Sequence, residues 1–319
     1  MKIFVIGCGR WGTCIAWYLD RVGQDVTIYG RQTSKNMREL LSTRSNGVFT
    51  LNDGIKLTND LSGARDADII VISIGCQHLR ALMGELAPLG LKDKIFCLCM
   101  KGLEMDTGMR LSQIVEQSCD PTNSVAVWLG PGHVQEFSRG VPNLMVIDSN
   151  DRDVKKLLIN SFSSDLIRFY YGEDMIGSEI GAAAKNVVGI AAGALDGLGL
   201  SSLKGGLMSR GAREISRLIT AMGGNGLSAY GLCHLGDYEA TLFSPHSHNR
   251  RFGELLVKGE KYDKLAEGCY TVKALMLLAE KYDVDLPICS AVYDIIYGHK
   301  DAREVLQGIF DRSLTTEFK

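Results

Sequence analysis

The sequence predicts an α/β protein: an N-terminal Rossmann-type doubly wound sheet over residues 1–173, followed by a mainly α-helical C-terminal domain over residues 174–319. Three observations predict it. Short apolar runs of strand length alternate with helix-period stretches through the first half. A glycine-rich turn stands directly after the first of those runs. From about Glu173 the texture changes, and alanine, glycine, leucine and isoleucine recur at helical spacing from Met175 to Met222.

The strand-length runs are Lys2–Ile6, Val26–Tyr29, Asp68–Ile74, Lys94–Met100 and Ser124–Leu129. Helix-period stretches separate them, among them Thr13–Val22, His78–Ala87 and Met109–Glu116. Strands that are apolar on both faces and alternate with helices belong to a parallel sheet covered on each side. Asn143–Asp148 and Leu166–Tyr170 read as two further strands closing this half. No proline lies between Pro142 and Pro245, and the second domain opens with a long helix from about Asp174 to Leu195. No internal repeat or low-complexity tract is present.

Composition narrows the function classes. The 319 residues are enough for two domains, each with its own core. With 45% hydrophobic and 23% charged residues the chain has an ordinary globular make-up. A net charge of −2 offers no basic field for nucleic acid or an anionic membrane. No run approaches the roughly 18 apolar residues of a membrane span. A first strand at Lys2 leaves no room for a signal peptide. Nine cysteines follow no disulfide framework, and Cys97 and Cys99 fall inside the apolar run Ile95–Met100, where packing explains them. A reducing, cytoplasmic setting is expected. His246 and His248 are two residues apart with no third ligand at suitable spacing, so no metal is expected.

Gly7-Cys8-Gly9-Arg10-Trp11-Gly12 is a G-x-G-x-x-G turn opening a helix. Gly7 permits the tight turn, Gly9 lets the backbone approach a pyrophosphate, and Gly12 allows close helix–strand packing. The helix N-terminus adds N–H groups and a partial positive charge for the phosphates. In its strand–turn–helix setting the motif points to a dinucleotide, NAD or NADP. The second strand ends Tyr29-Gly30-Arg31 rather than on an acidic residue, so Arg31 is placed to stack on adenine or meet a 2′-phosphate. In Glu179–Val188 a single lysine, Lys185, stands among small and apolar residues mid-helix. Such a lysine faces a cleft or an interface, and desolvation lowers its pKa toward that of a general acid/base. A snorkelling side chain is the alternative for the lysine taken alone.

Over essentially its whole length the chain resembles the bacterial NAD(P)-dependent glycerol-3-phosphate dehydrogenase family. The resemblance is carried by the glycine loop, Met100-Lys101-Gly102-Leu103-Glu104, Gly130-Pro131, Lys185-Asn186 and Asp196-Gly197-Leu198-Gly199. Gly236-Asp237, Thr241, Asn249-Arg250-Arg251-Phe252-Gly253 and Glu267-Gly268 follow in order. It implies Lys185 as the acid/base on the carbonyl of dihydroxyacetone phosphate, Lys101 as positive charge near substrate and nicotinamide, and Asp237 with Thr241 as the groups holding Lys185. It further implies substrate binding by Lys101, Gly130, Asn186, Ser247, His248, Asn249 and Arg250. Cofactor contacts are implied for Gly7, Gly9, Arg10, Trp11, Gly12, Arg31, Lys101, Val134 and Glu267, and the working form as a homodimer on a small phosphorylated three-carbon substrate.

The chain also departs from the family pattern. The serine-glycine-proline-serine/threonine loop stands here as Leu129-Gly130-Pro131-Gly132, lacking one hydroxyl. His248 stands where the family has an arginine, whose bidentate fork a histidine does not reproduce. The valine-proline-serine-glutamine turn is Ile74-Gly75-Cys76-Gln77, and the segment from Gly253 to Glu267 is short. Three readings follow: reduction of dihydroxyacetone phosphate, reduction of a different small acidic or phosphorylated ketone, and a non-catalytic NAD(P) sensor. Lys185, Lys101 and Asp237 together disfavour the sensor, because binding alone needs none of them.

Overall fold

The computed structural model describes residues 1–314, 316 and 317; positions 315, 318 and 319, the end of the expected second domain, lie outside the described residues. Eight strands form one sheet: β1 (Lys2–Ile6), β2 (Asp25–Tyr29), β3 (Lys56–Thr58), β4 (Ile69–Ile72), β5 (Ile95–Leu98), β6 (Ser124–Leu129), β7 (Asn143–Ser149) and β8 (Ile167–Tyr171). Their order is β3-β2-β1-β4-β5-β6-β7-β8, with β1 central and flanked by β2 and β4. Around the sheet lie α1 (Arg10–Arg21), α2 (Lys35–Thr43), α3 (Leu79–Leu86), α4 (Leu111–Ser118), α5 (Val134–Ser138) and α6 (Arg152–Phe162).

The sheet is parallel with one exception that the sequence did not announce. β7 runs antiparallel to β6, and β8 then pairs parallel with β7. The reason is the connection. A parallel return needs a crossover long enough to recross the sheet. Between Leu129 and Asn143 the only helix is the five-residue α5, which rises about 7–8 Å against the roughly 20 Å of a six-residue strand. The chain therefore re-enters from the end at which it left. Strand β3 and helix α2 were also not foreseen: β3 is a three-residue edge strand, and α2 is a mostly polar helix capped by Ser34. The run predicted over Met109–Glu116 becomes a helix only from Leu111, after Arg110 as N-cap, with Gln113 bonding back to it.

The second half is helical: α7 (Met175–Gly197), α8 (Lys204–Ala221), α9 (His248–Val257), α10 (Glu267–Tyr282), α11 (Pro287–Ile296) and α12 (Ala302–Phe310). Helix α7 is its axis, buried along almost its whole length. Its glycines explain how. A Cβ on Gly193 would stand 1.8 Å from the Arg250 carbonyl, and one on Gly253 would stand 2.0 Å from the Ile190 carbonyl. Helices α7 and α9 thus touch backbone to backbone, and no other residue fits at that contact.

Apolar cores fill both faces of the sheet, and a third surrounds α7, α8, α10 and α11. Two polar clamps tie α7 to the sheet. Asp148 at the end of β7 accepts the Asp174 N–H (3.0 Å) and the Ser178 hydroxyl (3.1 Å). Buried Glu179 accepts from Arg110 Nη1 (2.5 Å), Ser112 Oγ (2.6 Å) and the Ser112 N–H (2.9 Å). All nine cysteines are free thiols; seven are buried, and Cys119 and Cys269 are partly exposed. Among the described residues no helix is long and apolar enough to cross a membrane.

Candidate functional site

A cleft of about 770 Å³ runs from the carboxyl ends of β1, β2 and β4 to the buried flank of α7. At the sheet end it is floored by the glycine turn. Helix α1 starts without a side-chain cap at Gly9 and without an acidic residue in its first turn, which leaves the first N–H groups and the positive end of the helix for an anion. The three glycines differ in what they allow. A Cβ on Gly12 would stand 2.0 Å from the Gly7 carbonyl, and one on Gly7 would stand 2.1 Å from the Ser73 carbonyl. A Cβ on Gly9 would meet nothing within 4 Å. Two glycines serve the fold; the third keeps the cleft open. This cradle fits a dinucleotide pyrophosphate.

Arg10, Trp11 and Arg31 also line this end. Arg31 pairs with Glu85 across the opening (2.5 Å), with more than half of its side chain exposed. Glu267, at the start of α10, lines the cleft and accepts from the Cys76 thiol (2.7 Å); burial pushes its carboxyl above the ordinary value.

At the far end a buried carboxylate holds two lysines. Asp237, 1% exposed, sits in a short turn after His234. That histidine fixes the turn to α7: Nδ1 bonds the Gly181 carbonyl (2.8 Å) and Nε2 the Tyr238 hydroxyl (2.7 Å). Burial holds its pKa down at about 4, so it is neutral. Asp237 Oδ2 lies 2.6 Å from Lys101 Nζ and 2.9 Å from Lys185 Nζ. Lys101 also donates to the Gly130 carbonyl (2.6 Å). Lys185 donates to Thr241 Oγ (2.8 Å), which in turn donates to the Asp237 carbonyl (2.7 Å). An ammonium has three N–H groups; Asp237 and Thr241 take two, and the third faces a cleft that Lys185 itself lines. Desolvation by burial lowers the Lys185 pKa to about 8, against the opposing pull of Asp237 and with help from the Lys101 charge.

Asn186, one residue further along α7, donates to the Lys101 carbonyl (3.1 Å) and accepts from Asn249 (3.0 Å). Asn249 accepts from the Gly268 N–H (2.9 Å). The two amides brace Lys101, α9 and α10 together, and each retains a second N–H on the cleft wall. Ser247 and His248 lie beside them at the start of α9, Ser247 as its N-cap. His248 bonds the Tyr262 hydroxyl through Nδ1. Burial first, then the charges of Lys264 and Arg10, lower its pKa.

Three sequence-derived site residues lie off the cleft wall. Gly130 reaches the site through its carbonyl, which receives Lys101. Val134 opens α5 behind the wall. Arg250 is held behind it: its guanidinium is taken up by Asp196 (2.7 Å), by the Ser244 carbonyl (3.1 Å) and by Glu254 (3.5 Å). Asp196 ends α7 and also pairs with Lys204 (2.6 Å), so Arg250 locks α9 onto α7 and α8. Sequence reasoning also passed over other polar residues of the cleft wall, among them Ser34, Asn36, Ser73, His78, His133 and Lys264. Adjacency to the Gly130-Pro131 loop was the available signal for His133; Lys264 had none.

Comparison with known proteins agrees across the chain. Residues 2–155 match the model of the NAD-dependent glycerol-3-phosphate dehydrogenase N-terminus, and residues 174–307 match that of its C-terminus. The glycerol-3-phosphate dehydrogenase (NAD(P)+) of Fusobacterium nucleatum is 35% identical, with 100% of this chain and 99% of that one covered. The enzyme of the same name from Prosthecochloris aestuarii is 35% identical over 98% of each chain. Among solved structures, glycerol-3-phosphate dehydrogenase from Coxiella burnetii superposes with a TM-score of 0.89 at 28% identity, over 98% of this chain and 99% of that one.

Proposed function

The chain belongs to the NAD-dependent glycerol-3-phosphate dehydrogenase family, and from that premise we propose that it reduces dihydroxyacetone phosphate reversibly to sn-glycerol 3-phosphate. It is an NAD(P)-dependent oxidoreductase acting on a CH–OH group. The observation that carries the reading is a buried lysine with a lowered pKa, held by a carboxylate and a hydroxyl and left with one N–H on the cleft.

NAD(P)H, when bound, supplies the hydride. Residues 1–173 hold most of it, with Gly9 and the α1 N-terminus at the pyrophosphate, Arg10, Trp11 and Arg31 along the cleft wall and Val134 behind it, while Glu267 of α10 stands on the nicotinamide side. Residues 174–319 carry the acid. Lys185 gives its Nζ proton to the substrate carbonyl oxygen in reduction and takes it back in oxidation. Lys101 holds positive charge where that oxygen becomes negative. Asp237 fixes both ammoniums and Thr241 orients Lys185. Asn186, Ser247, His248 and Asn249 supply donors for the rest of the substrate, and Arg250 acts from behind by fixing α9.

A second reading, reduction of a different small acidic ketone, is favoured by one observation. His248 is turned to Tyr262 rather than offering a permanent cation. Following NADH and NADPH oxidation with dihydroxyacetone phosphate and a panel of small ketones separates the two; no turnover of the phosphate ester alone sinks the first. The free thiols support a reducing, cytoplasmic setting. The proposed homodimer is checked by sedimentation mass.

A further inference from the structure

The loop after β6 brings two residues to the cleft wall, Gly132 and His133. Gly132 has φ +153°, and a Cβ there would meet the Phe137 ring at 2.6 Å, so position 132 is closed to any side chain. The only polar side chain that this loop offers the cleft is therefore His133.

Its Nε2 is buried and has no hydrogen-bond partner among the described residues. Burying an unpaired ring nitrogen is costly, and such an atom calls for a ligand that completes it. The surroundings say which. Its ring meets His246 edge to face, with centroids 6.1 Å apart, two residues before α9 begins at His248. Lys185 and Asp237 are near enough to act on its charge. His133 thus shares one cleft wall with the lysine pair and with the α9 N-terminus, where Ser247, His248 and Asn249 line it. An anion seated between an ammonium pair and a helix N-terminus is held from both ends. Burial lowers the His133 pKa, with Glu136 and Asp237 opposing and Lys185 and His246 assisting, so the ring is neutral near pH 7 and one nitrogen carries the donor proton.

We propose that His133 is a substrate-binding residue whose Nε2–H donates to a phosphate oxygen of the substrate. This rests on the reading of the substrate as a phosphorylated ketone, and the test keeps the two apart. The KM for dihydroxyacetone phosphate is measured at saturating NADH for the wild type, His133→Ala and His133→Gln. Unphosphorylated dihydroxyacetone and NADH affinity by fluorescence are measured in parallel. His133→Ala is expected to raise the KM for the phosphate ester about tenfold or more, the scale of a hydrogen bond to a charged group. NADH affinity and the kcat/KM for dihydroxyacetone should stay within about twofold, and His133→Gln, which keeps an N–H at similar reach, should recover most of the loss. An unchanged KM in His133→Ala, or an equal loss on both ketones, overturns the phosphate contact while the function stands. If the wild type turns over only another acidic ketone, the substrate reading falls, and the same comparison on that ketone decides the histidine. No turnover of any ketone overturns both.

Discussion

At the scale of single residues, Lys185 and Gly9 bear the sharpest expectations. Lys185→Ala should lower kcat by about a hundred- to ten-thousandfold, the range of a positioned acid, with NADH affinity unchanged in a fluorescence titration. The pH profile carries a sign. Reduction needs the ammonium, whose pKa lies at about 8, so kcat for reduction should be flat below that value and fall as pH rises through it. Oxidation needs the free amine and should rise over the same interval. Identical profiles in both directions would move the proton transfer elsewhere. Gly9→Val should abolish NADH binding with little change in melting temperature, because the new side chain enters open space that the pyrophosphate needs. Gly12→Val should instead unfold the sheet unit, its Cβ meeting a backbone carbonyl. Residue types and order carried most of this site. They did not separate Arg250 from its neighbours, because only the packing of α9 on α7 shows that Asp196 takes its guanidinium. Nor did they single out His133, whose interest lies in an unpartnered atom rather than in any spacing.

At the scale of elements, the sequence located strands by apolar runs and mistook their ends by one or two residues. β1 and β6 are as predicted, whereas the run Asp68–Ile74 narrows to Ile69–Ile72, with Ser73 and Ile74 already on the cleft wall. β3, three residues long, had no period to show, and α2 offered only a single apolar turn, Met37 with Leu40 and Leu41, in a polar segment. The reversal of β7 is a property of a connection, not of a strand, so no reading of strands exposes it. One tertiary cap was equally hidden. Buried Glu214 of α8 accepts the Ile288 and Cys289 N–H groups (2.8 and 3.0 Å) at the first turn of α11. Glu214→Ala should cost about 1–3 kcal/mol for each N–H left unpaired, read as a lower urea midpoint. Burial raises its pKa from 4.5 to about 7. A folded-state pKa above the unfolded one contributes stability fully present below pH 4.5 and lost as pH rises through about 7. The wild type should therefore lose stability across that window relative to Glu214→Gln, whose amide does not titrate; parallel curves would contradict the assignment.

At the scale of the whole molecule, the cofactor cradle and Lys101 belong to the sheet half and Lys185 to the helical half, and α7 carries the joint. The texture change near Glu173 marks where strands give way to helices between β8 and α7, but not what clamps the two halves together. Arg110 and Glu179 lie 2.5 Å apart, 13% and 5% exposed. Breaking a buried pair from one side leaves a charge without its partner, so Glu179→Ala should destabilise the protein by about 3–5 kcal/mol. A loss below about 1 kcal/mol in chemical denaturation would mean that water or another carboxylate replaces it. The free thiols give the molecule a way to report on this joint. Alkylating reagents attack only exposed thiolates, and five of the seven buried sulfurs divide cleanly: Cys8, Cys14, Cys97 and Cys99 against the sheet, and Cys289 among the C-terminal helices. A brief pulse of iodoacetamide at each denaturant concentration, read peptide by peptide, therefore times the opening of each unit separately in the unlabelled natural sequence.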